Sequence, residues 1–500
     1  MAEKSIVIIG AGIGGLATGC YAQMNGYRTQ IFEMHTVPGG VCTAWKRKGY
    51  TFDGCMHHLA GCTPESNIYR MWQELGAMPR DIHYPEDLIC VENVDGRRFT
   101  VYTDIDRLEQ HMLELSPADA PVTREFIQAA RRFTRFSMMD TLQAGPWDML
   151  KFLLNVPLLG KWGRPTLEQH AERFSDPFLR RAFPMIQYDF PDMPVLMALV
   201  FIAGCHTRYL AWPVGGALEF AQSIARRYRE LGGQLHTRTR VARVLVEPGP
   251  NGDRAVGVRL ESGEEHRADV VVSNADGRTT IFDMLDGKYT TDMIRAYYTT
   301  HAPDSQVMSL HVGLGVARDF THEPHALVLW LPEPIEVAGE MHDRLDLELF
   351  AFAPEMAPAG KTVVKAHFPT RYDYWKDLRP QGDAYAAEKQ CIAERVIECL
   401  DRRFPGFKQQ VEVVDVTTPA TVGRFVGSYR GFQAWPVPNQ GFADALSGRG
   451  LSRTLPGLDD FYMVGQWAGG LGLPNVAAMG RKVVQAICKR DGRRFVTEIP

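Results

Sequence analysis

The residues best suited to chemistry stand at the start of the chain. Gly10-Ala11-Gly12-Ile13-Gly14-Gly15 is a glycine turn, and Glu33 follows it. Each part has a physical task. Gly10 permits a tight turn, Gly12 lets the backbone approach a pyrophosphate, and Gly15 lets a helix pack against a strand. A helix opening here offers free N–H groups and its positive dipole end to phosphates. Glu33 can accept hydrogen bonds from a ribose diol. Pro38-Gly39-Gly40 reads as a close backbone approach or a sharp bend. Far along the chain, Gly469-Gly470-Leu471-Gly472-Leu473-Pro474-Asn475 is a second glycine-rich loop, with Asn475 as the expected N-cap of a last helix.

Other reactive residues carry less. Cys55-Met56-His57-His58 with Cys62 fits no zinc spacing, so no metal is expected. No Ser/His/Asp order or Cys/His pair stands out as a nucleophile set. The nine cysteines are scattered, which reads as reduced thiols.

The elements that must position these residues follow a βαβ order. Ser5–Ile9 is an apolar strand, Leu16–Asn25 a helix ended by Gly26, and Tyr27–Phe32 a second strand. Gly49–Gly54 reads as a short strand, and residues 64–207 as mostly helical. Trp212-Pro213-Val214-Gly215-Gly216 is a turn before a helix over 217–231. Strands follow at 234–237, 241–247, 255–260 and 268–275. Residues 286–414 mix strands (307–312, 326–331, 345–351, 362–367) with a helix over 384–403. Phe461–Gly465 is a last buried strand.

Five hundred residues are too many for one simple core. A hydrophobic fraction of 45%, a charged fraction of 23% and a net charge of −4 describe a globular chain without a nucleic-acid partner. No secretory leader precedes the first strand, so a cytoplasmic location is expected. No stretch reaches the ~20 apolar residues of a membrane span. Two segments are greasy. Residues 194–203 read as core helix; 147–159, flanked by basic residues, reads equally as core or as an interfacial helix at a membrane.

These motifs, in this order, resemble the phytoene desaturase / carotene isomerase / retinol saturase family of the amine-oxidase-like flavin fold. The resemblance rests on Gly10 to Glu33, Pro38-Gly39-Gly40, Gly49 to Asp53 and Trp212 to Gly216. It also rests on Val270 to Ala275 and Val464-Gly465-Gln466-Trp467 through Leu473-Pro474-Asn475-Val476. It implies an α/β fold: a Rossmann-like FAD-binding domain from 1–63, 208–285 and 415–500, with an inserted α+β substrate domain from 64–207 and 286–414. It implies FAD, held by Gly10, Ala11, Gly12, Gly14, Gly15, Glu33, Met34, Gly39, Gly40, Val41, Val241, Asn274, Gly465, Gln466, Leu473, Pro474, Asn475 and Val476. One residue departs: many bacterial desaturases of the family carry Arg where this chain has Val41, which puts carotene desaturation itself in doubt.

The flavin would carry the hard chemistry, so no side chain is assigned as catalytic beyond the weak candidates His57 and His58. The expected activity is FAD-dependent oxidoreduction at a carbon–carbon bond (desaturation, saturation or isomerisation) of a lipophilic polyene or isoprenoid. The substrate would lie in an apolar tunnel between residues 140–204 and 307–367. Phe201, Tyr209, Trp212, Phe432, Trp435 and Trp467 are candidate walls. Two alternatives stand beside it: an amine-oxidase-type flavin oxidase of a small substrate, and a non-catalytic prenyl-lipid-binding protein of the same fold. Only one dinucleotide fingerprint exists, so a separate NAD(P)H domain of the disulfide-reductase type is not expected.

Overall fold

The computed structural model describes residues 4–135, 156–187, 192–250, 252–300, 305–431, 453–468 and 472–500. Its first sheet has five parallel strands, in the order Gln234–His236, Arg28–Phe32, Ser5–Ile9, Val270–Ser273, Phe461–Met463. Strands buried on both faces need near-continuous apolar runs, and Ile6-Val7-Ile8-Ile9 and Val270-Val271-Val272 supply them. The crossover from the first strand to the second is the helix Ile13–Met24. The last helix, Leu473–Arg490, lies against it. Gly480 makes that approach close: a Cβ there would stand 2.7 Å from the Thr18 nitrogen and 2.8 Å from the Gly14 oxygen.

A second sheet has seven strands, in the order Val411–Thr417, Ser305–Val316, Thr362–Arg371, Glu340–Leu349, Ala326–Val337, Asp87–Glu92, Arg98–Tyr102. Side chains alternate faces along a strand. Leu310, Val312, Leu347, Val364, Ala366 and Phe368 therefore share one face, packed on Ile392, Val396 and Leu400 of the helix Asp383–Arg403. The opposite face carries buried polar groups: His311, Asp346, Glu348, Lys365 and His367. Gly313 and Gly315 leave room on this face. A Cβ at either would stand 2.6 Å from Phe52 or Tyr50, so the strand Tyr50–Asp53 lies directly on it.

Residues 64–207 are less helical than their sequence suggests. Asp87–Glu92 and Arg98–Tyr102 form an antiparallel hairpin that joins the seven-stranded sheet. Its signal was legible: Asp95-Gly96 between two β-branched and aromatic runs. The helices Ile105–Leu115, Ala120–Phe133 and Val195–His206 cover this end of the sheet. Val195, Leu196, Ala198, Leu199 and Ile202 are fully buried, so the second greasy segment is core helix. Residues 147–155 of the first segment lie outside the described residues, as do Phe432 and Trp435. Among the described residues no helix is long and apolar enough to cross a membrane.

Candidate functional site

The glycine turn sits where the fingerprint demands, at the carboxyl end of the first strand and the start of the first helix. Gly12 is the helix N-cap, with no side-chain cap and no acid in the first turn, so the terminal N–H groups face no built-in anion. Gly15 packs the helix on the strand: a Cβ there would stand 2.1 Å from the Gly10 oxygen. Glu33 is buried at the end of the second strand. Its carboxylate accepts from the Ala11 nitrogen at 2.8 Å and the His35 nitrogen at 2.8 Å. Each oxygen keeps a lone pair beyond those bonds, so the turn and a diol can be served together.

Of the other expected contacts, Gly39, Gly40, Gly465 and Val476 meet this turn, whereas Met34, Val41, Val241 and Gln466 have their described neighbours elsewhere. Gly39 donates its N–H to the Ala11 oxygen at 2.8 Å and pairs with Gly12, and a Cβ on Gly40 would stand 3.4 Å from the Gly12 Cα. Val41 follows in the same loop, its carbonyl accepting from the Thr43 nitrogen. Thr239 donates to the Glu33 carbonyl, and Val241 packs beside Val7, Ile9 and Phe32. Met34 reaches Gly427: its sulfur lies 3.0 Å from where a Cβ would stand there. Gly465 and Val476, from the far end of the chain, meet Gly14; its Cβ would lie 3.2 Å from the Gly465 nitrogen and 3.3 Å from the Val476 oxygen. Gln466 sits in the short turn that follows, Gln466–Ala468.

Asn274 is the hub of this cluster. Its Nδ2 would be 2.6 Å from a Cβ on Gly12, and its Oδ1 2.6 Å from a Cβ on Gly14. The space opened by the missing Cβ atoms is thus shared with a side-chain amide. This set fits a dinucleotide: an uncapped helix terminus, an amide donor and a buried carboxylate.

The last helix corrects one expectation. Its N-cap is Gly472, not Asn475. Leu473, Pro474 and Asn475 are already its first turn, because proline fits the early positions whose N–H groups need no partner. Asn475 is therefore not the capping side chain. The helix has no side-chain cap.

The second part of the site was largely invisible in the sequence. His57 joins a buried polar cluster on the seven-stranded sheet. Its Nδ1 lies 2.5 Å from Glu348 Oε1. Glu348 Oε2 takes His367 Nε2 at 2.8 Å and Lys365 Nζ at 2.8 Å. Lys365 also donates to the Asp53 carbonyl at 2.9 Å. Asp53 in turn accepts from the Cys55, Met56 and Ala217 nitrogens, tying this loop to the helix Gly216–Glu230. Burial works against the Glu348 charge, but Lys365, His57 and His367 outweigh it and hold the carboxyl well below its usual range. Burial, reinforced by Lys365, pushes His367 down to about 4. Within the cluster the Glu348 carboxylate is thus shared between the Lys365 amine, His57 and His367. His58 turns away from it, its ring edge-on to Phe201 at 4.8 Å.

The sheet face expected to line an apolar tunnel carries these polar groups beside the apolar Ala326, Val328 and Trp330, which pack on the helix Val195–His206. The sequence signal for the cluster was alternation: Lys365 and His367 two apart in one apolar run, Asp346 and Glu348 two apart in another. Among the described residues no group of three or more His, Cys, Asp or Glu side chains is arranged to hold a metal. All nine cysteines are free thiols.

Comparison with known proteins agrees with this geometry. Residues 8–75 match the NAD(P)-binding Rossmann-like domain family. The chain is 23% identical to the chloroplastic prolycopene isomerase of Arabidopsis thaliana, over 92% of this chain and 78% of that one. It is 24% identical to a lycopene-forming phytoene desaturase of a Paracoccus species, over 97% of each. Among solved structures, cyclohexylamine oxidase from Brevibacterium oxydans superposes with a TM-score of 0.59 at 16% identity, covering 98% of this chain and 100% of that one. By dinucleotide turn, sheet order and near full-length similarity, the chain is a relative of the phytoene desaturases and prolycopene isomerases, built on an amine-oxidase-like α/β fold.

Proposed function

We propose that this protein is an FAD-dependent oxidoreductase acting on a carbon–carbon bond of a lipophilic polyene or isoprenoid. The observation that carries the reading is the convergence of the amino-terminal turn, Glu33, Asn274, Gly465 and Val476 at one sheet end, in a chain related over nearly its full length to enzymes of polyene chemistry. The turn at Gly12, with Asn274, would hold the pyrophosphate, and Glu33 the ribose. The uncapped start of the last helix would place a positive dipole end near the ring system. Bound flavin supplies two-electron chemistry at carbon. The protein's own part is to exclude water, orient the chain and fix His57 through Glu348. Contact with a membrane surface belongs to the same reading, since such substrates are collected from lipid.

The test is direct. Purified protein should carry stoichiometric flavin by visible absorbance. It should convert phytoene, prolycopene or a related polyene in micelles under anaerobic conditions with a reductant or a quinone. Colourless protein that converts none of them would overturn the proposal. Peroxide release on adding small amines, with polyenes inert, would favour the amine-oxidase alternative. Liposome flotation, with residues 147–160 made polar in one variant, tests membrane contact; absence of flotation removes it.

A further inference from the structure

A short hairpin brings two of the free thiols together. Lys48 and Gly49, both with positive φ, form the two-residue turn between the strands Ala44–Arg47 and Tyr50–Asp53. The register pairs Arg47 with Tyr50, Trp45 with Phe52 and Ala44 with Asp53. Gly54 extends it by donating its N–H to the Thr43 oxygen at 2.9 Å. The next facing positions are Cys42 and Cys55. Hydrogen-bonded and non-hydrogen-bonded pairs alternate along such a ladder. Thr43 and Gly54 are of the first kind, so Cys42 and Cys55 are of the second, where Cα atoms stand about 4.5 Å apart. A disulfide bridges Cα separations of about 4.4–6.8 Å. The side chains do meet, because the two thiols are hydrogen-bonded to each other.

Their surroundings differ. Cys42 is buried, with its Sγ 3.3 Å from the Ala217 oxygen. The bond to Cys55, then burial, hold its thiol well above the ordinary range. Cys55 is only half-buried, so a small oxidant reaches it first. The pair also sits beside the dinucleotide turn. Cys42 donates its N–H to the Gly39 oxygen at 3.1 Å, while Gly39 and Gly40 lie on Ala11 and Gly12. Cys55 donates its own N–H to Asp53 Oδ1 at 2.9 Å, and Asp53 Oδ2 holds the Ala217 nitrogen at 2.7 Å.

We propose that Cys42 and Cys55 are a redox modification site: hydrogen peroxide closes them into a reversible disulfide that fixes the Gly39–Cys42 loop against the turn. The Cys55 sulfur attacks peroxide, the O–O bond breaks, and a sulfenic acid and one water result. The Cys42 sulfur then attacks the Cys55 sulfur, the S–O bond breaks, and the Cys42 proton leaves with the hydroxide as a second water. Two thiols and one peroxide thus give one disulfide and two waters. A thiol reductant reverses the link by exchange. Fixing the loop slows the escape of a nucleotide held by the turn. Only this last consequence rests on the flavin reading.

The experiment treats reduced full-length protein with limiting hydrogen peroxide, then denatures and alkylates it. Alkylated thiols should fall by two from the nine of the reduced chain, and dithiothreitol should restore all nine. Peptide mapping should place the link between Cys42 and Cys55, and neither Cys42→Ser nor Cys55→Ser should form one. Nine thiols after peroxide, or a link between other cysteines, would overturn the site. Flavin release on dilution, followed by fluorescence, should be about threefold slower or more in the oxidised wild type. Equal release by both forms, or equal slowing by peroxide in Cys55→Ser, would overturn the fixing of the loop. Protein purified without flavin would overturn the flavin reading and the consequence drawn from it, while the peptide map would still decide the disulfide.

Discussion

At the scale of single residues, two positions decide most. Gly12 has Asn274 pressed against the face where a Cβ would stand, 2.6 Å away. Gly12→Val should displace the Asn274 amide, close the approach to the turn and yield folded but colourless protein. Circular dichroism and the ratio of flavin to protein absorbance read both outcomes, and stoichiometric flavin in this variant would refute the assignment. Lys365 is 2% exposed and holds both Glu348 and the Asp53 carbonyl. Lys365→Met strands a buried carboxylate, which typically costs about 3–5 kcal/mol. Adding Glu348→Leu should recover a large part of that loss, because the charge is then gone from both sides. Urea denaturation of the single and double variants checks the coupling; additive losses would show that the pair does not act as a unit.

At the scale of elements, the crossing of the first and last helices matters most, because it joins the chain's two ends. It depends on Gly480 lying on Thr18 and Gly14. Gly480→Val forces backbone apart rather than a mobile side chain, so a loss of about 1–3 kcal/mol is expected. The turn sits on that same helix, so flavin affinity should fall with stability. A variant that loses stability yet keeps wild-type flavin affinity would show that the crossing supports the fold alone. The two sheets divide the labour. The parallel sheet places uncapped helix ends at one edge. The seven-stranded sheet turns an apolar face to its own helix and a polar face toward the strand Tyr50–Asp53.

At the scale of the whole molecule, buried histidines set the response to acid. His170 is enclosed by Phe126, Trp162, Phe174 and Phe183. Burial first, and Arg173 next, push it down from 6.5 to about 4. His367 is pushed down to about 4 and His58 to about 3. Between these values and 6.5 the unfolded chain binds protons that the folded chain refuses, so stability rises with pH in that window. It is lost as pH falls from about 6.5 toward 4, by about 3 kcal/mol for His170 alone. Asp276 works the other way: burial lifts it to about 6, which favours the fold as pH falls through the same range. Burial also holds His83, His111 and His342 below their usual value, and Asp53 and Asp346 above theirs; six histidines thus oppose three aspartates, so net destabilisation is expected on acidification. Melting temperatures from pH 7.5 to 4.5 measure it, and His170→Leu should flatten the curve. A wild type whose melting temperature is constant or rises toward pH 4.5 would contradict the assignment.

The sequence by itself determined the parallel sheet, the dinucleotide turn with Glu33, the long-range kinship and the core character of residues 194–203. Those features rest on local rules: glycine where a Cβ has no room, apolar runs where both faces are covered, an acid at a strand end. The hairpin at 87–102 obeyed the same rules, and its strands pair with each other before Asp87–Glu92 joins Ala326–Val337. Asn475 as N-cap failed by residues within one turn, where several polar and glycine positions compete and tertiary packing chooses Gly472. The cluster of His57, Glu348, Lys365 and His367 was decided only by the tertiary structure. Its members lie on three distant segments, and each alone is an ordinary polar residue in an apolar stretch. Strand register brings Lys365 opposite Glu348 and His367 opposite Asp346. Register between strands far apart in sequence is set by long-range packing, because a shift of one residue would carry every one of these side chains to the other face.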